Sequence, residues 1–149
     1  MILHLHRGAA IVATLCIASF FSLTLITELV ASHATIALVK AAVVWPGLWI
    51  LIPAMALTGI TGNLLAKKRR GKLTQQKLAT MKIIAANGLL ILVPCAIVLN
   101  QWAQAQQFDT IFYLVQGVEL LAGATNLCLL IANARRGMKL TQGARKPRH

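Results

Sequence analysis

Residues 41–72 read AAVVWPGLWILIPAMALTGITGNLLAKKRRGK, twenty-six positions without a charge followed by five basic side chains in six. An α-helix rises about 1.5 Å per residue and the hydrocarbon core of a bilayer is about 30 Å thick, so roughly 20 apolar residues suffice to cross it. The uncharged run predicts a membrane span over 41–66, and the basic cluster marks where the chain leaves the lipid. Outward from this stretch, three more runs meet the same criterion: 8–30, charged only at Glu28; 83–102, uncharged; and 110–134, charged only at Glu119. With 58% hydrophobic and 12% charged residues and a mean hydropathy of +0.72, the composition excludes an ordinary soluble domain of 149 residues. The expected fold is all-α: a single integral-membrane domain, an up-down-up-down bundle of four helices joined by short links.

The distribution of charge predicts which way the bundle faces. Of 15 Lys and Arg, one precedes the first span, seven lie in the 67–82 loop and six in the 135–149 tail, leaving only Lys40 on the other side. By the positive-inside rule these segments are cytoplasmic, with both termini inside. The three acidic residues, Glu28, Asp109 and Glu119, lie in spans or on the opposite face. The cluster Lys67-Lys68-Arg69-Arg70 abuts a span and lacks interleaved aromatics, which suits anionic lipid at the cytoplasmic face and not nucleic acid. The N-terminal layout is that of a signal peptide. Its apolar run of about 20 residues nevertheless exceeds the typical 7–15, and Glu28 falls where cleavage recognition would begin, so the first span is read as retained.

Irregularities in the helices point to their contacts. Pro46, Pro53 and Pro94 each remove a backbone donor, so kinks are expected in the second and third helices. Thr58 and Gly62, Gly88, Gly117 and Gly123 mark close helix approaches, within the bundle or between copies. Cys16, Cys95 and Cys128 lie inside spans without a metal-binding spacing and read as small packing residues. The rings of Trp45, Trp49, Trp102, Phe108, Phe112 and Tyr113 gather near the outer interface as anchors.

Three groups of residues carry chemical interest. In the fourth helix Gln116, Glu119, Gly123 and Asn126 follow spacings of three, four and three, which puts them on one face. An ionised carboxylate facing lipid costs about 3 kcal/mol or more at mid-membrane, so Glu119 is expected to face inward, protonated or paired. Glu28 and Lys40, at the outer ends of the first two spans, are expected to form an ion pair. A small four-helix bundle also raises haem b. Its candidate ligands are His6 with Met81 at the cytoplasmic side, or His33 shared between two chains, since no two histidines of one chain lie on different helices at one depth. No catalytic motif and no metal-binding pattern is present, so no catalytic residue is assigned.

The phrases Ile83-Ile84-Ala85-Ala86-Asn87-Gly88-Leu89-Leu90, Phe112-Tyr113-Leu114-Val115-Gln116 and Glu119-Leu120 resemble those of small, uncharacterised four-span bacterial inner-membrane proteins. The resemblance implies a bacterial inner-membrane location and carries no activity. The leading expectation is a non-enzymatic accessory subunit that associates with itself or with a membrane complex through its second and fourth helices. The alternatives are a haem b electron-transfer protein and a minimal transporter or channel built on the Glu119 face.

Overall fold

The computed structural model describes residues 1–67 and 71–143, except for the side chains at 72–73 and 139–143. The basic residues Lys68, Arg69, Arg70, Arg145, Lys146 and Arg148, together with His149, lie outside the described residues. The fold is all-α. Helix α1 covers Ile2–Val30; α2 (His33–Ala42) and α3 (Trp49–Lys67) form a second long rod; α4 (Lys72–Asn87) and α5 (Val93–Gln104) form a third; α6 covers Thr110–Gly143. Among the described residues, four helical stretches, of 29, 35, 31 and 29 residues, are long and apolar enough to cross a membrane. Many large apolar side chains lie on the outside, Leu15, Ile26, Ile60, Leu90 and Leu121 among them, as a lipid-facing surface requires.

The helices extend past their apolar limits. The 67–82 loop becomes helical at Lys72, and the fourth helix continues to Gly143, because Lys, Arg and Gln are good helix formers and no proline interrupts them. The second rod begins earlier than the apolar run, at His33. Ser32 caps it, with its Oγ accepting from the Thr35 N–H at 3.4 Å. Asp109 caps α6 in the same way, its Oδ1 accepting from the Phe112 N–H at 2.9 Å. Between α5 and α6 the chain reverses through Gln106, in the left-handed region at φ 56.

Contacts at both ends establish that successive rods run in opposite directions. His6 near the start of the first meets Thr61 near the end of the second, and Arg136 near the end of the fourth donates to the Thr80 hydroxyl near the start of the third at 2.6 Å. At the other end Gln104 Nε2, closing α5, donates to the Ala37 carbonyl in α2 at 2.9 Å. The end that carries His6, Lys77 and Arg136 is called the basic end below, and the opposite one the far end.

A kink at Val43–Leu48 and a wide π turn at Gly88–Leu92 interrupt the middle rods. The first contains Pro46, after a cis peptide, and Trp45 is non-helical there (φ −134, ψ 115). The second precedes Pro94, whose missing N–H and bulky ring disturb the preceding turn. Pro53 sits exposed inside regular α3 without a break. The break at Pro46 divides the second rod's partners, so that α3 packs along α1 while α2 packs along α5. A central apolar core (Ala13, Ile17, Leu51, Ala54, Ala96) and a far-end core around Leu99, Ala103 and Phe112 hold these pairs.

Candidate functional site

The inward face of α6 is a stripe at spacings of three and four: Gln116, Glu119, Gly123, Asn126, and onward through Leu130 to Asn133. Gln116, Asn126 and Asn133 are buried. The sequence brought out the first four of these positions, and the same spacing extends to Asn133.

Glu119 does not meet lipid. Its Oε2 accepts from Lys40 Nζ at 2.5 Å and from Gln116 Nε2 at 3.0 Å. Lys40 is only 1% exposed and Glu119 12%. The partner of Lys40 is therefore Glu119, in place of the expected Glu28. The difference arises from where α2 begins. Read as part of a loop, Lys40 would sit at the membrane surface beside Glu28. Because His33 starts the helix, Lys40 is carried seven residues inward, about 10 Å at the helical rise. Glu119, nine residues into α6, lies about 13 Å from its own start and so at a matching depth. The Ser32 cap was the sequence signal that could have moved that boundary.

Glu28 stays in the neighbourhood, since Lys40 and Glu119 both act on it electrostatically. Its buried Oε1 has no hydrogen-bond partner, and neither does the buried Oε1 of Gln116. A cluster drawn from α2 and α6 thus holds one carboxylate, one ammonium and the unpartnered Gln116 oxygen, with the Glu28 carboxylate of α1 within electrostatic range. With all three groups ionised it would carry one net negative charge inside an apolar bundle, where a proton or small monovalent cation would neutralise it.

Beside the cluster lies a cavity of about 60 Å³, bordered by Glu119, Asn126, Thr24, Phe20 and residues of the kink and the π turn, Val43 and Gly88 among them. Asn126 closes one side. It accepts from Asn87 Nδ2 at 2.9 Å and donates to the Ile84 carbonyl at 3.3 Å, while Asn87 also donates to the Ala122 carbonyl at 2.9 Å. Asn87 and Asn126 tie α4 to α6.

A second cavity, of about 120 Å³, lies towards the basic end. His6, Met81, Asn133, Thr14, Thr58 and Lys77 are on its walls. His6 is buried, with Nδ1 3.0 Å from Thr61 Oγ1. Gly62 makes this approach feasible: a Cβ there would collide with Met81 Cε and stand 3.3 Å from His6 Cε1. His6 and Met81, two of the candidate haem ligands, are thus brought together. The space they border, about 120 Å³, is smaller than the roughly 300 Å³ at which pockets for small molecules and cofactors begin. His33 is exposed at the far end. It stacks on Phe108 with centroids 4.1 Å apart, and its Nε2 lies 3.4 Å from the Tyr113 hydroxyl.

Among the described residues, Cys16, Cys95 and Cys128 are free thiols on separate helices. Compared with models of protein families, with curated proteins and with solved structures, the chain matches none.

Proposed function

We propose that this chain is a minimal cation carrier of the bacterial inner membrane, oriented with its basic end in the cytoplasm, that binds and releases one proton or small cation at the Glu28–Lys40–Gln116–Glu119 cluster. The observation behind this reading is the pair of buried, unpartnered oxygens on Gln116 and Glu28, set around an ion pair with one carboxylate in excess. A polar group placed only to hold helices together would have its acceptors filled by protein donors, since each one left open costs about 1–3 kcal/mol. Acceptors left open in an apolar bundle suit an exchangeable donor. The adjoining cavity, with Glu119 and the π turn at Gly88–Leu92 on its wall, suits a site that changes occupancy, because wide turns of this kind recur at functional positions.

The test is cation flux. In protein-loaded liposomes with a trapped pH dye, or sodium- or potassium-sensitive dyes in parallel, Glu119→Gln retains the hydrogen bond from Gln116 and removes the charge. Flux should fall by about tenfold or more. Unchanged flux would count against the carrier.

One feature favours a second reading, that of an accessory subunit or homo-oligomer. Gly59 in α3 and Gly117 in α6 have no atom within 4 Å of the place a side chain would occupy, which leaves notches on the second and fourth rods. Small residues let membrane helices approach closely. If these notches seat another copy or a membrane partner, Gly117→Leu should remove cross-linked species formed in native membranes while leaving the monomer folded. A cross-linking pattern identical to that of the parent would dismiss this reading. Contact of the basic end with anionic lipid belongs to either proposal.

A further inference from the structure

The two cavities lie in series along the bundle. Down α1, His6, Thr14 and Ile17 border the basic-end cavity, whereas Ile17, Phe20 and Thr24 border the one beside Glu119. The order repeats on α6, with Asn133 on the first and Asn126 and Glu119 on the second. Two residues, Ile17 and Met55, are on the walls of both.

The basic-end cavity has mostly apolar walls, on which Thr14, Thr58, Asn133, His6 and Lys77 are the polar side chains. The hydroxyls of Thr14 and Thr58 donate to carbonyls of their own helices, Ala10 and Ala54, each at 2.7 Å, so only their lone pairs remain for the cavity. Asn133, at 7% exposure, is on the same wall, and its enclosed Oδ1 has no hydrogen-bond partner. The hydroxyl lone pairs, with the Lys77 ammonium as a donor on the same wall, suit water as the cavity's occupant. His6 adds an imidazole, whose ring nitrogens can donate to or accept from water. By contrast, the boundary between the cavities is apolar. Met55 reaches across the interior, its Cε 3.1 Å from where a Cβ on Gly88 would stand, at the start of the π turn. An unbranched thioether is the side chain best able to swing aside.

We propose that the basic-end cavity is a hydrated vestibule through which protons reach the Glu119 cluster, with His6 and Asn133 holding its water and Met55, against Ile17, acting as the apolar plug between vestibule and site. The direction of loading rests on the carrier reading above, whereas the route itself is a physical property that can be measured without it. Hydrophobic constrictions of this kind block passage by excluding water and open when widened.

The test uses silver(I), a thiol-reactive cation of about the size of water, on full-length protein in oriented proteoliposomes with Cys16, Cys95 and Cys128 replaced by serine. Thr14→Cys reports the vestibule and Thr24→Cys the cavity beyond the plug. Reaction is read as thiol lost when the protein is afterwards unfolded and titrated, which also verifies that each cysteine is present. Thr14→Cys should react from the basic face only, and Thr24→Cys slowly. Adding Met55→Ala should speed reaction at Thr24→Cys by about tenfold or more, and Met55→Phe should suppress it. Thr14→Cys unreactive from the basic face, or a Thr24→Cys rate indifferent to both Met55 substitutions, would overturn the route. If labelling follows Met55 but Glu119→Gln leaves flux unchanged, the vestibule stands and the carrier falls. If flux depends on Glu119 but labelling ignores Met55, the carrier stands and the proton enters elsewhere.

Discussion

Glu119 and Asn126 sit seven residues apart on one face of α6, both turned into the bundle, and their surroundings are opposite in kind. Asn126 is wholly buried and occupied at both ends of its amide, by Asn87 on one side and the Ile84 carbonyl on the other. Around Glu119 the donors converge on a single oxygen, Oε2, while the Oε1 atoms of Gln116 and Glu28 stand open. A saturated polar group inside an apolar bundle locks two helices at one register. In the carrier proposed above, the unsaturated cluster with its extra carboxylate is what binds the cation. Both nodes are polar residues in a predicted span, and only the count of partners separates them.

The largest effect should come from emptying the cluster of carboxylates. Lys40 is almost entirely buried, so Glu28→Gln with Glu119→Gln leaves an ammonium without a counter-charge, at a cost of about 3–5 kcal/mol. Glu119→Gln alone should cost less, because Glu28 remains close enough to act on Lys40. Thermal unfolding in detergent would rank the three proteins. At the closed node Asn126→Leu should cost about 0.6 and at most about 1.7 kcal/mol, the range measured for side-chain hydrogen bonds between membrane helices, and should leave flux unchanged. The contrast between the nodes breaks if Asn126→Leu destabilises more than the double carboxylate variant, or if it abolishes flux.

How much of this was legible beforehand follows from what an apolar sequence encodes. Length and hydropathy fix where a rod lies along the membrane normal, and so the four helices were readable from 41–66 outward. The stripe on α6 was also readable, because Gln116, Glu119 and Asn126 are rare polar marks on an otherwise apolar rod. Azimuth is poorly encoded elsewhere: a helix surrounded by lipid on one side and packed helices on the other is apolar all round, and nothing in residues 33–42 says which neighbour Lys40 faces. Depth itself was misjudged by the start of α2, where Ser32 and Thr35 carried a cap that hydropathy does not register. The pairing of His6 with Thr61, and the alignment of two cavities past Met55, depend on azimuth in four rods at once and only a three-dimensional arrangement supplies them.

The smallest stability effect is the sharpest discriminator between the nodes. Gln116 donates to Glu119, a charge-assisted bond, but the same side chain holds a buried oxygen with no donor. Replacing it with methionine, close in size, removes both features. Loss of the bond costs about 1.5–3 kcal/mol and relief of the unpartnered oxygen returns about 1–3, so the two nearly cancel. Gln116→Met should therefore unfold within about 0.5 kcal/mol of the parent, a spread typical of substitutions without a dominant mechanism. Its flux should nonetheless fall, since an acceptor has been withdrawn from the ion's surroundings. The matching substitution at Asn126 has no open oxygen to relieve and shows the reverse, a measurable loss of stability with flux intact. If Gln116→Met were instead as destabilising as Asn126→Leu and carried the cation at the parental rate, Gln116 would be a second lock, and the distinction along this face of α6 would vanish.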